Sequence, residues 1–541
     1  MPNPRRRSLV SILGFLLAVG VVRAAIGDEP VASPAAPLAS LGSLASVASV
    51  AAVPAEGERR LEFGRFGTFS VVSPSAAPPT AVALLLATNP EGAQAASLIA
   101  ALRASGVLVI AIDATRYEQV IADHGGCVYS AADFETLSHW VQQTVNLPDY
   151  LPPVLVADGG ASTLAYATLA QAPPGTFEGA ITLGFCAELG LEKPLCPGEA
   201  LRREPDSQHH GFLLRPSPID APWVVIDGES APACPLEGFK AFVGRIPSAQ
   251  LLPATEAGGT APADLASRVR QALATVLEKR HAQEAAGAAL SSEIRDLPVI
   301  EMAAPAGGFP RKTLVVAVSG DGGWVGYERK LSERLHDAEG FPIVGLNSLR
   351  YFWQARTPDG AAADLGRLLE HYLAVWGLDD AIVFGYSQGA DVVPFMVARL
   401  PEALRARVRL TVIVGSDGSA VFDTHLSSYM SQKSGSADLP VAPEVRRLKQ
   451  NKVLCVSGTK EKHSLCKVLG SKRIVQLVLP TGHVFNHDLG EVVASILSTT
   501  GLPPAPPKPE ASPGPGPGPG PAPAAAPRLA AAKIRGCCPR F

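Results

Sequence analysis

Ser387 stands at the centre of Gly385-Tyr386-Ser387-Gln388-Gly389. Apolar Ile382-Val383-Phe384 runs straight into this pattern, and an apolar stretch from Val392 to Leu400 follows it. A buried strand, a sharp turn and a helix are therefore expected, the context that makes Gly-x-Ser-x-Gly a nucleophile elbow. A serine on so tight a turn leaves no room for a Cβ at Gly385 or Gly389, where strand and helix pass close by. The turn lifts the hydroxyl above the sheet and aims the helix N-terminus at the reacting carbon. Chance alone would supply about 0.3 copies of the pattern in a chain this rich in glycine. The flanking strand and helix are what single this copy out.

A serine is a poor nucleophile at neutral pH without a base in hydrogen-bond reach and a third group to orient that base. In this kind of site the chain order is serine, acid, histidine. His483 follows the last apolar run in Leu479-Pro480-Thr481-Gly482-His483 and is the expected base. His487, His463 and His425 are its rivals, each otherwise a polar surface or packing residue. The acid should follow the run Val453 to Ser457, where Gly458-Thr459-Lys460-Glu461-Lys462-His463 offers one carboxylate, Glu461. Its flanking lysines also suit a plain solvated loop, and Asp423 and the more distant Asp417 remain competitors. An oxyanion hole needs two N–H donors. Gln388, just after the nucleophile, should supply one, and Gly323 or Trp324 in Ser319-Gly320-Asp321-Gly322-Gly323-Trp324 the other. Losing one such donor costs about 3–4 kcal/mol in the transition state.

These residues need a sheet to carry them. In the second half, strands are expected at Thr313–Val318, Ile343–Leu346, Ala381–Phe384, Leu410–Val414, Val453–Ser457 and Ile474–Leu479, with helices at Ala361–Trp376 and from Gly389 onward. That alternation implies a mostly parallel sheet covered on both faces, with ligands beyond the carboxyl ends of its strands. The first half repeats the pattern at an offset of roughly 230 residues. Val154 to Val156 followed by Asp158-Gly159-Gly160-Ala161 matches the elbow, and Arg116-Tyr117 matches Arg350-Tyr351. Gly159 stands where Ser387 stands, so this half has no nucleophile; Ser162 lies about one helical turn on and should cap or pack. The fold expected is α/β, with two tandem α/β-hydrolase-like domains, the first (58–290) degenerate and the second (291–502) catalytic.

With 541 residues, two domains plus tails is the natural expectation. The formal net charge of −3, with no basic run beyond the N-terminus, argues against a nucleic-acid partner. Arg5-Arg6-Arg7, the apolar run Leu9 to Val22 and Val22-Arg23-Ala24 make residues 1–24 an export signal. At about 14 residues the run is short for a span, which needs about 20, although an uncleaved anchor stays open. Residues 25–57 are an Ala/Ser/Val/Pro-rich linker, and 503–541 a Pro/Gly/Ala-rich tail that cannot form a core. Export permits disulfides, and of eight cysteines Cys186 with Cys196, Cys455 with Cys466 and Cys127 with Cys234 are the pairs considered. No spacing suggests a metal, and no cofactor is expected.

The segments 319–324, Asn347-Ser348-Leu349-Arg350-Tyr351-Phe352-Trp353, Thr357-Pro358, 385–391 and Gly482-His483 together resemble the bacterial virulence proteins VirJ and AcvB, over about residues 60–500. The two-halved arrangement behind a signal is similar to the longer, AcvB-like form. The resemblance implies an exported α/β-hydrolase acting on aminoacyl-phosphatidylglycerol, chiefly the lysyl form, at the periplasmic side of the inner membrane. It also implies association with type IV secretion components. It makes Ser387 the nucleophile, His483 the base and Glu461 the acid. Two departures are Phe422-Asp423-Thr424-His425, where Phe-Glu-x-His is expected, and Val484, where a second histidine is expected. A lysyl group would want carboxylates nearby, for which Asp321, Asp391 and Asp423 are candidates. Asp391 equally suits the first turn of the elbow helix. Arg350 and Tyr351 either meet a phosphate or lipid interface, or form core and structural contacts as their recurrence in the first half suggests.

Overall fold

The computed structural model describes residues 57–506 apart from breaks at 76–77, 124, 207–210, 228–235, 254–261, 289, 307–308, 310, 424–437, 471–473, 484 and 486–488. The signal segment, nearly all of the linker and most of the tail lie outside the described residues, as do His425, His487, Val484, Cys234, Cys537 and Cys538.

Apolar runs alternating with helices form two sheets of one plan. The first comprises β1 (Glu58–Phe63), β2 (Gly67–Val72), β3 (Ala81–Ala87), β4 (Val107–Asp113), β5 (Val154–Asp158), β6 (Gly179–Leu183), β7 (Trp223–Ile226) and β8 (Ala249–Leu252). Their spatial order is β1-β2-β4-β3-β5-β6-β7-β8, parallel from β4 onward. The second comprises β9 (Val299–Met302), β10 (Thr313–Val318), β11 (Ile343–Leu346), β12 (Asp380–Tyr386), β13 (Val408–Val414), β14 (Lys452–Gly458) and β15 (Ile474–Leu479). Their order is β9-β11-β10-β12-β13-β14-β15, with only β9 antiparallel to its neighbour.

Both faces of the second sheet are covered, which is why its strands read as unbroken apolar runs. Leu314, Val316 and Val318 of β10 pack into a core with the helices Pro358–Val375 and Gln388–Ala398. Val315 and Ala317 pack into the opposite core, with Tyr327–Glu339 and Leu489–Thr500. The helix Pro358–Val375 begins where Thr357 accepts the Gly360 N–H on its hydroxyl and proline takes the first helical position.

The two halves are joined by hydrogen bonds and an ion pair. Trp353 Nε1 donates to the Leu147 carbonyl at 2.8 Å, and Gln354 Nε2 to that of Pro148 at 3.1 Å. Lys330 pairs with Glu199 at 2.6 Å. Cysteine pairing differs in part from expectation. Cys455 joins Cys466, but Cys127 joins Cys196, because an isolated bridge between Val128 and Leu195 and a bond from Cys196 N–H to the Val128 carbonyl set the two cysteines side by side. Cys186 is disulfide-bonded as well, so it is not the partner of Cys196.

Candidate active site

Val318 of β10 pairs with Gly385 of β12, so the loops leaving these two strands are neighbours above the carboxyl edge. The elbow sits there. Ser387 has φ 53° and ψ −119°, a backbone that non-glycine residues rarely adopt and that persists only where its surroundings enforce it. The enforcement is steric. A Cβ on Gly385 would lie 2.1 Å from the Gly389 carbonyl oxygen, and one on Gly389 would lie 2.2 Å from that of Val318. No other residue lets strand and helix cross so closely. Ser387 is half-buried at the head of the helix Gln388–Ala398.

His483 Nε2 lies 3.0 Å from Ser387 Oγ, and its Nδ1 lies 2.9 Å from Glu461 Oε1. The other Glu461 oxygen accepts the Gly458 N–H at 2.8 Å, and the side chain is only 6% exposed, so the carboxylate is held rather than solvated. With a carboxylate facing Nδ1, that nitrogen carries the proton and Nε2 is left to accept from the serine. The hydrogen bond to Glu461 is the chief cause holding the imidazole above its ordinary pKa; Asp321 and Asp417 add to it, and partial burial opposes it.

Reaching Ser387 from behind β15 means crossing the ends of β14 and β13, and both crossings are cleared by glycine. A Cβ on Gly458 would meet the Thr481 carbonyl oxygen at 2.4 Å; one on Gly415 would meet the His483 ring at 3.1 Å. Tyr386 then steadies the histidine, donating its hydroxyl to the His483 carbonyl at 3.0 Å and lying nearly parallel to the ring at 5.5 Å.

The other expected site residues divide. Gln388 heads the elbow helix, where the first N–H groups have no intrahelical partner, and its side chain donates to the Val421 and Asp423 carbonyls. The Gly323 N–H instead donates to the Gly320 carbonyl at 3.1 Å, closing a turn, which corrects its assignment as an oxyanion donor. The part of this loop beside the elbow is Gly320, whose Cβ would come 3.4 Å from that of Ser387. The Trp324 indole packs over Gly345 of β11. Asp391 is buried and accepts from the Ser416 hydroxyl at 2.5 Å and the Gly418 N–H at 3.2 Å, so it pins the loop after β13 and does not face a ligand. Burial drives its carboxyl well above the usual range, and Asp417 adds to this. Tyr351 is fully buried, donates to Asp364 at 2.6 Å and lies under Arg356, so the interface reading fails for it. Arg350 is exposed on the short helix Ser348–Tyr351. Asp321 is half-buried beside the elbow loop, and Asp423 is half-buried, with its carbonyl on Gln388.

Sequence reasoning passed over Glu328. It is buried, and one oxygen accepts from both the Val325 and Gly326 N–H groups, which holds the 320–326 loop in shape. An acidic residue in the first turn of an apolar-periodic helix was the available signal. In the first half, Gly159 keeps the elbow's positive φ of 50° but presents no side chain, and Ser162 is sealed, donating to the Leu183 carbonyl. Among the described residues no cluster of His, Cys, Asp and Glu is arranged to hold a metal, and no helix is long and apolar enough to cross a membrane.

The strand order, the parallel run with a serine elbow after β12 and helices on both faces define the α/β-hydrolase class of fold. Residues 312–501 match the family described as bacterial virulence protein (VirJ). Among solved structures the chain is similar to Est1E from Butyrivibrio proteoclasticus, at 12% identity, a TM-score of 0.28 and coverage of 38% of this chain and 93% of that one. It is also similar to a carboxylesterase from Mesorhizobium loti, at 16% identity and TM-score 0.26, covering 38% and 96%. A third is XC6422 from Xanthomonas campestris, titled a serine hydrolase without lid, at 15% identity and TM-score 0.25, covering 37% and 86%. At such scores these likenesses say nothing of what this chain does. No curated protein matches it.

Proposed function

We propose that this protein is a serine hydrolase that cleaves the aminoacyl ester of aminoacyl-phosphatidylglycerol, with lysyl-phosphatidylglycerol the foremost substrate, at the periplasmic face of the inner membrane. The observation that carries the reading is the unbroken relay Ser387–His483–Glu461, with a buried, backbone-anchored carboxylate at its far end. Ser387 Oγ attacks the ester carbonyl while His483 Nε2 takes its proton, and Glu461 stabilises the imidazolium without accepting a proton itself. The oxyanion is met by the Gln388 N–H at the helix head and by backbone of the loop beginning at Gly320. His483 then protonates the departing phosphatidylglycerol oxygen, and water, activated by the same imidazole, releases the amino acid. The signal-like pattern of residues 1–24 supports the periplasmic setting, and the match of residues 312–501 to a bacterial virulence family supports a role in virulence, for which a link to type IV secretion is part of the proposal.

Purified protein mixed with vesicles containing lysyl-phosphatidylglycerol is expected to release lysine, and Ser387→Ala to release none. Turnover of a soluble aryl ester without any release of lysine would replace the lipid with a small ester as substrate. Failure of folded protein to turn over either would favour a non-catalytic secretion adaptor.

A further inference from the structure

The near-neutral total charge conceals a local excess. From Lys460 to Lys467 the sequence carries three lysines against a single carboxylate, Glu461, and that carboxylate is turned inward onto His483. Lys460, Lys462 and Lys467 are exposed on the loop and short helix that follow β14. Beside them runs β15, the last strand of its sheet, with one edge unpaired among the described residues. Val478 of that strand is 54% exposed and Val468 of the helix is 65% exposed, on the same side of the sheet, while Val475, 47% exposed, points to the other face. The pieces are cross-tied: Thr459 N–H donates to the Leu479 carbonyl, Lys460 N–H to that of Thr481, Gln476 to that of Cys466, and Cys466 is bonded to Cys455 of β14.

We propose that this edge is a docking surface for an anionic phospholipid bilayer, which sets the mouth of the Ser387 site against the membrane. Lysines flanking exposed aliphatic side chains suit such a surface, where each cation is attracted by the lipid charge and the valines enter the headgroup boundary. A second copy of the chain suits it poorly. Two copies joined by this edge would bring the lysines of one against those of the other. Lys460 and Lys462 flank the residue that bonds His483, so docking by this edge leaves no long path between bilayer and serine. Delivery of substrate by this route rests on the function proposed above; the docking itself does not.

Hydrogen exchange of the full chain, carrying Ser387→Ala so that no lipid is consumed, tests the proposal. Vesicles of phosphatidylglycerol with phosphatidylcholine are expected to protect amides in 459–468 and 474–482, vesicles of phosphatidylcholine alone to leave them unchanged, and added salt to reverse the effect. Lys460→Glu/Lys462→Glu should raise the lipid needed for half-protection by about thirtyfold or more, and Val468→Ser/Val478→Ser should raise it as well. In otherwise wild-type protein both double variants should hydrolyse a soluble aryl ester at the normal rate, which separates loss of docking from loss of catalysis. Protection only elsewhere in the chain, equal protection by both vesicles, or protection of the same amides without vesicles, as a second copy would give, overturns it.

Discussion

Glu461→Gln isolates the orienting role of the acid, because the structure dictates how the new amide must sit. One Glu461 oxygen accepts the Gly458 N–H at 2.8 Å and the other faces His483 Nδ1 at 2.9 Å. A backbone donor requires an acceptor, so the glutamine must turn its carbonyl to Gly458 and its NH2 to the imidazole. Nδ1 then has to accept, the ring proton moves to Nε2, and the nitrogen 3.0 Å from Ser387 Oγ can no longer take the serine proton. A wrong tautomer in a triad of this type costs about ten-thousandfold in turnover, or about 5 kcal/mol of barrier. The amide matches the carboxylate in shape and keeps the Gly458 bond, so the melting temperature should stay close to that of the wild type. The pH profile carries a second sign. Glu461 is the main cause of the raised His483 pKa, so wild-type kcat/KM should fall as pH drops through a value above the ordinary histidine range. In the variant that acid limb should move to lower pH. Kinetics on a soluble aryl ester across pH, with circular dichroism of the same samples, measures all three quantities. A loss of less than tenfold, or an acid limb that does not move, would refute the orienting role of Glu461.

Other substitutions probe the scaffold. Ser387→Gly should be inactive yet about 1 kcal/mol more stable than Ser387→Ala, since only glycine relaxes at φ 53°; thermal melts of the pair decide this. Gly415→Ala presses a methyl group onto the His483 ring and forces a side chain to φ 69°, so kcat/KM on the aryl ester should fall about a hundredfold; normal activity would show that the histidine has slack. Asp391→Ala should cost about 1–3 kcal/mol in urea unfolding, because the Ser416 hydroxyl and the Gly418 N–H lose their acceptor. The same variant should keep its preference between cationic and neutral aminoacyl esters; a changed preference would return Asp391 to substrate recognition.

The second sheet was legible in outline because strands buried on both faces give continuous apolar runs, and the elbow because its two glycines are required by contacts of about 2 Å between strand and helix. Chain order alone pointed to the loops after β14 and β15 for the acid and the base. What it could not supply was the direction of a side chain or an N–H. Asp391 has the position of a first-turn helix acid but turns inward to Ser416, and Gly323 has the flexibility of an oxyanion loop but spends its N–H on a turn. Cys127 joins Cys196 through a bridge between two loops that no spacing rule anticipates. The expectation of no basic run beyond the N-terminus passed over Lys460, Lys462 and Lys467, because other residues separate them in sequence and only the fold sets them beside the exposed strand β15.

The proposed mechanism requires His483 to make Ser387 nucleophilic. Reaction of the full chain with a fluorophosphonate, followed by peptide mass mapping, measures this directly. One adduct is expected on Ser387, formed rapidly in the wild type, drastically slowed by His483→Ala and absent from Ser387→Ala. Folded wild-type protein that stays unlabelled, or labels equally fast without the histidine, would contradict it.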